Sequence, residues 1–219
     1  MSDFIAKMPP NLLQKWFPTA KAPVILCAPM FMSVNGTLAA EVTKAGGLGT
    51  LAVIPHCFTQ HDRAIRILHT YCVSDSYQLT SLDTGFVAGA WDFTPNAPTL
   101  VDLDKQLSIA KENLASSDHS GDGTLPIGVG FLTFDPTAAD FAKTGLPILL
   151  KYKPAAIWLF VPQPGSSTHR DIISSIRGAQ GDGSGDWKPQ ILVQVGTVAA
   201  AREALDDGAD GIVAQGVGK

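Results

Sequence analysis

An α/β fold built on a parallel sheet is the class this sequence predicts, and three observations predict it. Short, mostly apolar runs recur along the chain, each bounded by Gly or Pro. Those runs do not alternate apolar with polar residues, which is the pattern of strands buried on both faces. Helical stretches lie between them, so strand, helix, strand is the repeating unit. Such a series either closes into a barrel or spreads into an open doubly wound sheet. Right-handed crossovers are required in both, and periodicity does not choose between them.

The first strand-like run is Val24 to Ala28. Thr37 to Ala45 follows as a helix with Leu38, Val42 and Ala45 as its apolar stripe, and Gly46 and Gly47 supply a left-handed stop. The second run is Leu48 to Ile54 and the third Pro126 to Leu132. The stretch between them, 55 to 125, is too long for a single crossover and reads as an insertion. Within it His61 to Tyr71 is helical by the placement of Ala64, Ile65, Leu68 and Tyr71 near one face, and Leu103 to Leu114 is helical too. Ser74 to Thr99, with Trp91 and Phe93, lacks a helical period and reads as an irregular excursion. The remaining runs are Ala155 to Val161, Gln190 to Val195 and Gly211 to Gln215. The last helix is the clearest: Thr197 caps it, Val198, Ala201 and Leu205 share a face, and Gly208 ends it. The polar, glycine-rich loops Ser116 to Gly123 and Gly178 to Gly185 read as the most flexible segments. A strand follows each at once, so neither marks a boundary, and residues 1–219 are expected to form a single domain.

With 219 residues and 45% hydrophobic content, the chain has apolar material for one sizeable core. Sixteen basic against twenty acidic residues give a net charge of −4, without a Lys/Arg run to neutralise a row of phosphates, so nucleic acid is not an expected partner. The opening MSDFIAKMPP lacks a signal-peptide layout, and no apolar run approaches the ~18 residues of a membrane span. A soluble, cytoplasmic protein is expected. Cys27, Cys57 and Cys72 are expected to be free thiols in a reducing compartment.

Several patterns invite a chemical reading and are set aside. Gly47 to Ala52 fits the G-x-G-x-x-A pattern of dinucleotide turns, but these glycines follow a helix and open a strand, so no helix N-terminus points at a phosphate. His56, Cys57, His61, His69 and Cys72 raise the question of zinc, yet no paired C-x-x-C accompanies them, and no metal is predicted. Gly181 to Asp186 lacks the glutamate that would close a calcium loop. Ser166, Ser167 and His169 follow the fourth run, where barrel enzymes place catalytic side chains, but no acidic partner marks a triad and helix capping is the better reading.

Three groups of residues carry a family resemblance. Ala28-Pro29-Met30 is followed by Leu38-Ala39-Ala40 and Ala45-Gly46-Gly47-Leu48-Gly49, and Leu125 to Phe131 forms the second group. The third is Gln194-Val195, then Ala201-Arg202-Glu203-Ala204, then Gly208 to Gly216. In this order and spacing, from about Phe17 to Gly216, the chain resembles the nitronate monooxygenases, formerly called 2-nitropropane dioxygenases. The resemblance implies a TIM-type (β/α)8 barrel with FMN across the C-terminal ends of the strands. It implies that backbone at Ala28, Pro29 and Met30 lines the isoalloxazine ring and that Gln215 hydrogen-bonds the flavin, with Gln194 and Gly216 in the same cofactor-binding set. A flavin needs flat apolar contact and a few placed donors; Met30 suits the first and Gln215 the second.

The activity implied is oxidation of an alkyl nitronate with oxygen. Flavin enoyl reductases and NAD(P)H:quinone reductases resemble the same opening motifs, and a non-catalytic fragment is the reading from a different class. Two departures bear on chemistry: Gly130 stands where many members carry asparagine, and Leu159-Phe160-Val161-Pro162 stands where the fourth strand ends in histidine. No catalytic residue is therefore assigned, and His169 is only a nearby candidate. After Gln215-Gly216 the chain reads Val217-Gly218-Lys219. An incomplete barrel of about six parallel strands is expected, a truncated product without the last strand-helix units and the phosphate-binding loops they build.

Overall fold

A computed structural model describes residues 12–29, 34–52, 92–115, 123–162, 165–179 and 187–215. In chain order the elements are α1 (Leu12–Trp16), α2 (Gly36–Lys44), β1 (Gly49–Ala52), α3 (Pro98–Leu114), β2 (Leu125–Leu132), a 3-10 turn (Pro136–Asp140), α4 (Phe141–Tyr152), β3 (Pro154–Phe160), α5 (Thr168–Gly178), β4 (Gln190–Val195), α6 (Val198–Asp206) and β5 (Gly211–Ala214). All neighbouring strands pair in parallel, in the order β1-β2-β3-β4-β5. A doubly wound sheet reverses its order at a switch point. This one does not, so the alternative that periodicity left open resolves to a partial barrel of the TIM type.

The expected strand at Val24 to Ala28 contracts to one parallel bridge, Leu26 opposite Leu48. Leu48 N–H donates to Ile25 O at 2.8 Å and Cys27 N–H to Leu48 O at 3.0 Å. The Thr50 hydroxyl also donates to the Cys27 carbonyl. Pro23 and Pro29 flank this segment, and a residue without N–H cannot extend a ladder.

Register assigns the two faces of the sheet. Leu51, Ile127, Val129, Phe131, Ile157, Leu159, Ile191, Val193 and Val195 pack into the main core under the helices. The other face carries successive rows. Thr50, Gly128, Ala156 and Gln190 form the first, and Ala52, Gly130, Trp158, Leu192 and Gly211 the second. Residues of alternate parity on a strand point to opposite faces, so these rows line the barrel interior. A smaller cluster of Phe17, Ala20, Leu48 and Ala156, with Leu13 and Trp16 against it, fills the interior near the strand beginnings.

Both helical stripes read from sequence are displaced. On α2 the buried residues are Gly36, Ala39, Ala40 and Thr43, while Leu38 is 41% exposed. On α6 Ala204 is buried, whereas Val198 and Leu205 are 71% and 55% exposed. On α2 the cause is close approach: a Cβ on Gly36 would lie 2.2 Å from the Gln106 carbonyl oxygen of α3. Where backbones meet that tightly, small side chains face inward and the bulky ones are displaced to the rim. The Thr197 cap agrees with expectation, its hydroxyl accepting from Ala200 N–H at 3.1 Å; Gly46 and Gly208 adopt left-handed φ of 96° and 98°, while Gly47, expected to share the first stop, does not.

Part of the 55 to 125 stretch, read as an insertion, belongs to the barrel wall. α3 begins at Pro98, earlier than the sequence indicated, and packs against α2 and α4, so it belongs to the helical layer between β1 and β2. Phe93 is fully buried, and its ring centroid lies 6.0 Å from Phe131 and 5.8 Å from Phe141. The predicted helix at His61 to Tyr71, the cysteines Cys57 and Cys72, the zinc candidates, the calcium-like stretch and the interiors of both glycine-rich loops lie outside the described residues. No described helix is long and apolar enough to cross a membrane.

Candidate cofactor site at the strand ends

The polar end of the barrel interior is built from β3, β4 and the residue after β5. Trp158 Nε1–H donates to Gln194 Oε1 at 2.9 Å, and Gln194 Nε2–H donates to Gln215 Oε1 at 2.8 Å. Trp158 is 6% exposed, Gln194 half-buried and Gln215 exposed. The relay therefore runs from the covered interior to the accessible C-terminal rim. Backbone Gln215 N–H donates to Val195 O at 2.9 Å, which extends the β4–β5 pairing one residue and fixes where the Gln215 side chain begins.

On the other flank Pro29 covers Gly130. A Cβ on Gly130 would fall 2.5 Å from Pro29 Cβ and 2.7 Å from its Cγ, so no side chain fits there while Pro29 holds its place. This gives the departure at Gly130 a physical reason. Gly130 pairs in register with Trp158, so Pro29, Gly130, Trp158 and the two glutamines follow one another across the interior face. Of the predicted cofactor residues the structure joins Gln194 to Gln215 by a hydrogen bond and sets Pro29 over Gly130 on the same interior face, with exposed Ala28 preceding Pro29. Met30 and Gly216 lie outside the described residues. Trp158 was not anticipated from sequence. Its position two residues before the end of β3 places it on the inward parity with Phe160, and that signal was available.

Beside Gln194 opens a cavity of about 230 Å³ between α5 and α6, lined by Phe160, Val161, His169, Glu203 and Asp207 among others. His169 is buried, and its Nε2 lies 2.8 Å from Thr133 Oγ1. The same hydroxyl oxygen lies 3.2 Å from the carbonyls of Phe160 and Val161. A hydroxyl has one proton. If that proton serves the carbonyls, the oxygen accepts from a protonated Nε2 of a neutral imidazole. Burial pushes His169 down to about 4, opposed by the charge of Asp207. Asp207 is itself paired with Arg170 at 2.7 Å. His169 thus fastens the ends of β2 and β3 and stands as a neutral group in the cavity wall. Val161, whose carbonyl joins this cluster, adopts φ 53°, a left-handed conformation rare for a β-branched residue.

Ser167 occupies the N-cap position of α5 without a side-chain cap bond, and its hydroxyl donates to Asp171 Oδ2 at 2.7 Å. Ser166 Oγ accepts a long 3.4 Å contact from Thr168 N–H. These contacts are local to the helix start, but the expected side-chain cap is not made by Ser167, whose hydroxyl is turned to Asp171. Among the described residues no group of three or more His, Cys, Asp or Glu could hold a metal ion.

The fold and this row of residues define a class: a β/α-barrel chain whose strand ends carry side-chain amides beside an apolar surface. In sequence the chain is similar to proteins named nitronate monooxygenase. It is 36% identical to the nitronate monooxygenase of Neurospora crassa over an alignment of 215 residues that covers 94% of this chain and 45% of that protein. It is 28% identical over 195 residues to nitronate monooxygenase npaC of Metarhizium robertsii, covering 88% of this chain and 40% of that protein. The chain thus spans about half the length of the curated relatives it matches. Among solved structures it is similar to the FabK (M276A) mutant from Thermotoga maritima, with a TM-score of 0.55 at 18% identity over 94% of this chain and 46% of that one, a likeness of fold. No family model matches the chain.

Proposed function

We propose that this chain forms the flavin-facing part of an FMN-dependent oxidoreductase of the nitronate monooxygenase type, acting on alkyl nitronates with oxygen. The observation that carries the reading is the row of Pro29, Trp158, Gln194 and Gln215 on the interior face, ending at the C-terminal rim of a parallel barrel. That rim is where barrels of this type bind their ligands. The residues fit the cofactor: Ala28 and Pro29 offer flat backbone and ring surface, and Gln215 offers an amide that two preceding hydrogen bonds orient. Met30 and Gly216 would complete the set by continuity with Pro29 and Gln215. Bound FMN would supply the redox chemistry and the reaction with oxygen. The chain's own residues would hold the ring, exclude water from its covered face and place a donor at its polar edge.

A second reading has its own support. The described interior positions Thr50, Ala52, Gly128, Gly130, Leu132, Ala156, Trp158, Phe160, Gln190, Leu192, Gln194, Gly211, Val213 and Gln215 include no group that titrates near neutral pH. His169 is buried against Thr133. On this reading the chain binds flavin and supplies no general base. The activity also has sibling forms, enoyl or quinone reduction, which a nicotinamide requirement would separate from nitronate oxidation. We place the protein in the cytoplasm on the same footing.

The test is a visible absorption spectrum of the purified chain after adding FMN and removing the excess. Retained flavin bands, followed by turnover of an alkyl nitronate without nicotinamide, are the expected result. A colourless protein would overturn the cofactor assignment.

A further inference from the structure

We propose that Trp158 is a positioning residue that sets the direction of both glutamine amides, so that Gln215 presents its NH2 group, and not its carbonyl oxygen, to whatever binds at the barrel rim. The argument rests on hydrogen-bond inventory. An indole N–H can only donate, so the group of Gln194 that meets Trp158 Nε1 at 2.9 Å must be the carbonyl oxygen. The two ends of a primary amide are opposite in character. Once Oε1 of Gln194 is committed to Trp158, its Nε2 is the end that reaches Gln215, at 2.8 Å, and it requires an acceptor there. Gln215 answers with Oε1, and its own Nε2 is directed away from the relay toward the exposed rim.

One donor-only group in the interior thereby fixes two amide orientations across three strands. Trp158 can do this because it is held: it is 6% exposed, in register with Gly130 on one side and Leu192 on the other. The inference leans on the cofactor reading only in naming the occupant. For a flavin, an NH2 group at Gln215 would face an acceptor on the ring edge and favour the reduced cofactor.

The relay is tested first without cofactor, by the side-chain amide NMR signals of Gln194 and Gln215 in the full chain. In the parent protein the Gln194 NH2 is expected to be protected from solvent exchange and the Gln215 NH2 to exchange freely. Gln194→Glu replaces the middle amide with a carboxylate that only accepts. Gln215 must then turn its NH2 inward, so its protection should rise while Trp158 keeps its partner. An unprotected Gln215 NH2 in Q194E would overturn the proposal. Trp158→Phe should release both amides, with loss of Gln194 protection, and unchanged protection in a folded W158F would likewise overturn it. If W158F does not fold, Q194E decides.

FMN titration then separates the two readings. If the parent binds FMN, W158F and Q194E are expected to weaken it by roughly three- to tenfold, as loss of one net hydrogen bond would. Unchanged affinity in both would refute the relay's part in cofactor binding. If the parent binds no FMN but the amide protection switches as described, the cofactor assignment fails and the relay stands.

Discussion

Replacing Gly49 with alanine tests the packing on which the barrel wall depends. A Cβ at this position would lie 1.8 Å from the Ala39 carbonyl oxygen, 2.5 Å from its carbon and 2.7 Å from its Cα. All three are backbone atoms of α2, so no side-chain rotation relieves the clash, and α2 would have to withdraw by roughly 1.5 Å to restore ordinary contact. That movement pulls on Thr43, whose hydroxyl accepts from Gly49 N–H at 3.2 Å and donates to the Pro126 carbonyl at 3.0 Å. Overpacking costs about 1–3 kcal/mol and two strained hydrogen bonds about 1 kcal/mol each, so the expected loss is roughly 3–5 kcal/mol. For a chain of this size that lowers the melting temperature by roughly 6–20 °C. Gly178→Ala is the control. Gly178 is the last residue of α5, exposed, with nothing within 4 Å of its Cβ position, so alanine there should be neutral or stabilise by up to about 1 kcal/mol. Equilibrium urea unfolding followed by circular dichroism measures both. A G49A protein within about 1 kcal/mol of the parent would refute the claim that α2 and β1 meet backbone to backbone.

The buried His169 gives a signed pH dependence. Its folded-state value of about 4 lies below the ordinary 6.5, so the unfolded chain takes up a proton first as pH falls. Stability should therefore be fully present above about pH 6.5, decline between there and pH 4, and lose on the order of 3 kcal/mol from this residue. His169→Gln should remove that component, and denaturant melts at pH 7 and pH 4.5 compare the two proteins. Asp210 should also matter more than its exposure suggests, because Oδ2 accepts from Arg177 Nη2 at 2.5 Å and from Ile191 N–H at 2.7 Å, joining α5 to the start of β4. Asp210→Ala is expected to cost about 1–3 kcal/mol in the same unfolding assay. Gly130→Ala should displace Pro29 and lower both stability and FMN retention, read by melting temperature and by the flavin bands after desalting; unaltered retention would separate Pro29 from the cofactor site.

Much of the architecture was legible in the sequence because it depends on local pattern. Mostly apolar runs without alternation, such as Pro126 to Leu132 and Gln190 to Val195, mark strands buried on both faces, and Thr197 and Gly208 mark a helix start and stop through backbone hydrogen bonding and left-handed φ. The glutamines at 194 and 215 were found by resemblance, and the structure joins them. Other features depend on what meets what. The choice between barrel and doubly wound sheet was settled by strand order, which no local periodicity encodes. The inward faces of α2 and α6 were misread because hydrophobic size suggested Leu38, Val198 and Leu205; on α2 close backbone approach selects Ala39 and Ala40, and on α6 Ala204 is the residue buried. Trp158 acquired its role only when β3 and β4 were in register, since a hydrogen bond between residues 36 apart in sequence exists through the sheet and nowhere in the chain alone. The sequence by itself determined which segments could be strands and helices. The tertiary structure decided which side chains meet across them, because hydrogen bonds and steric contacts act over a few ångströms of space, whatever the separation along the chain.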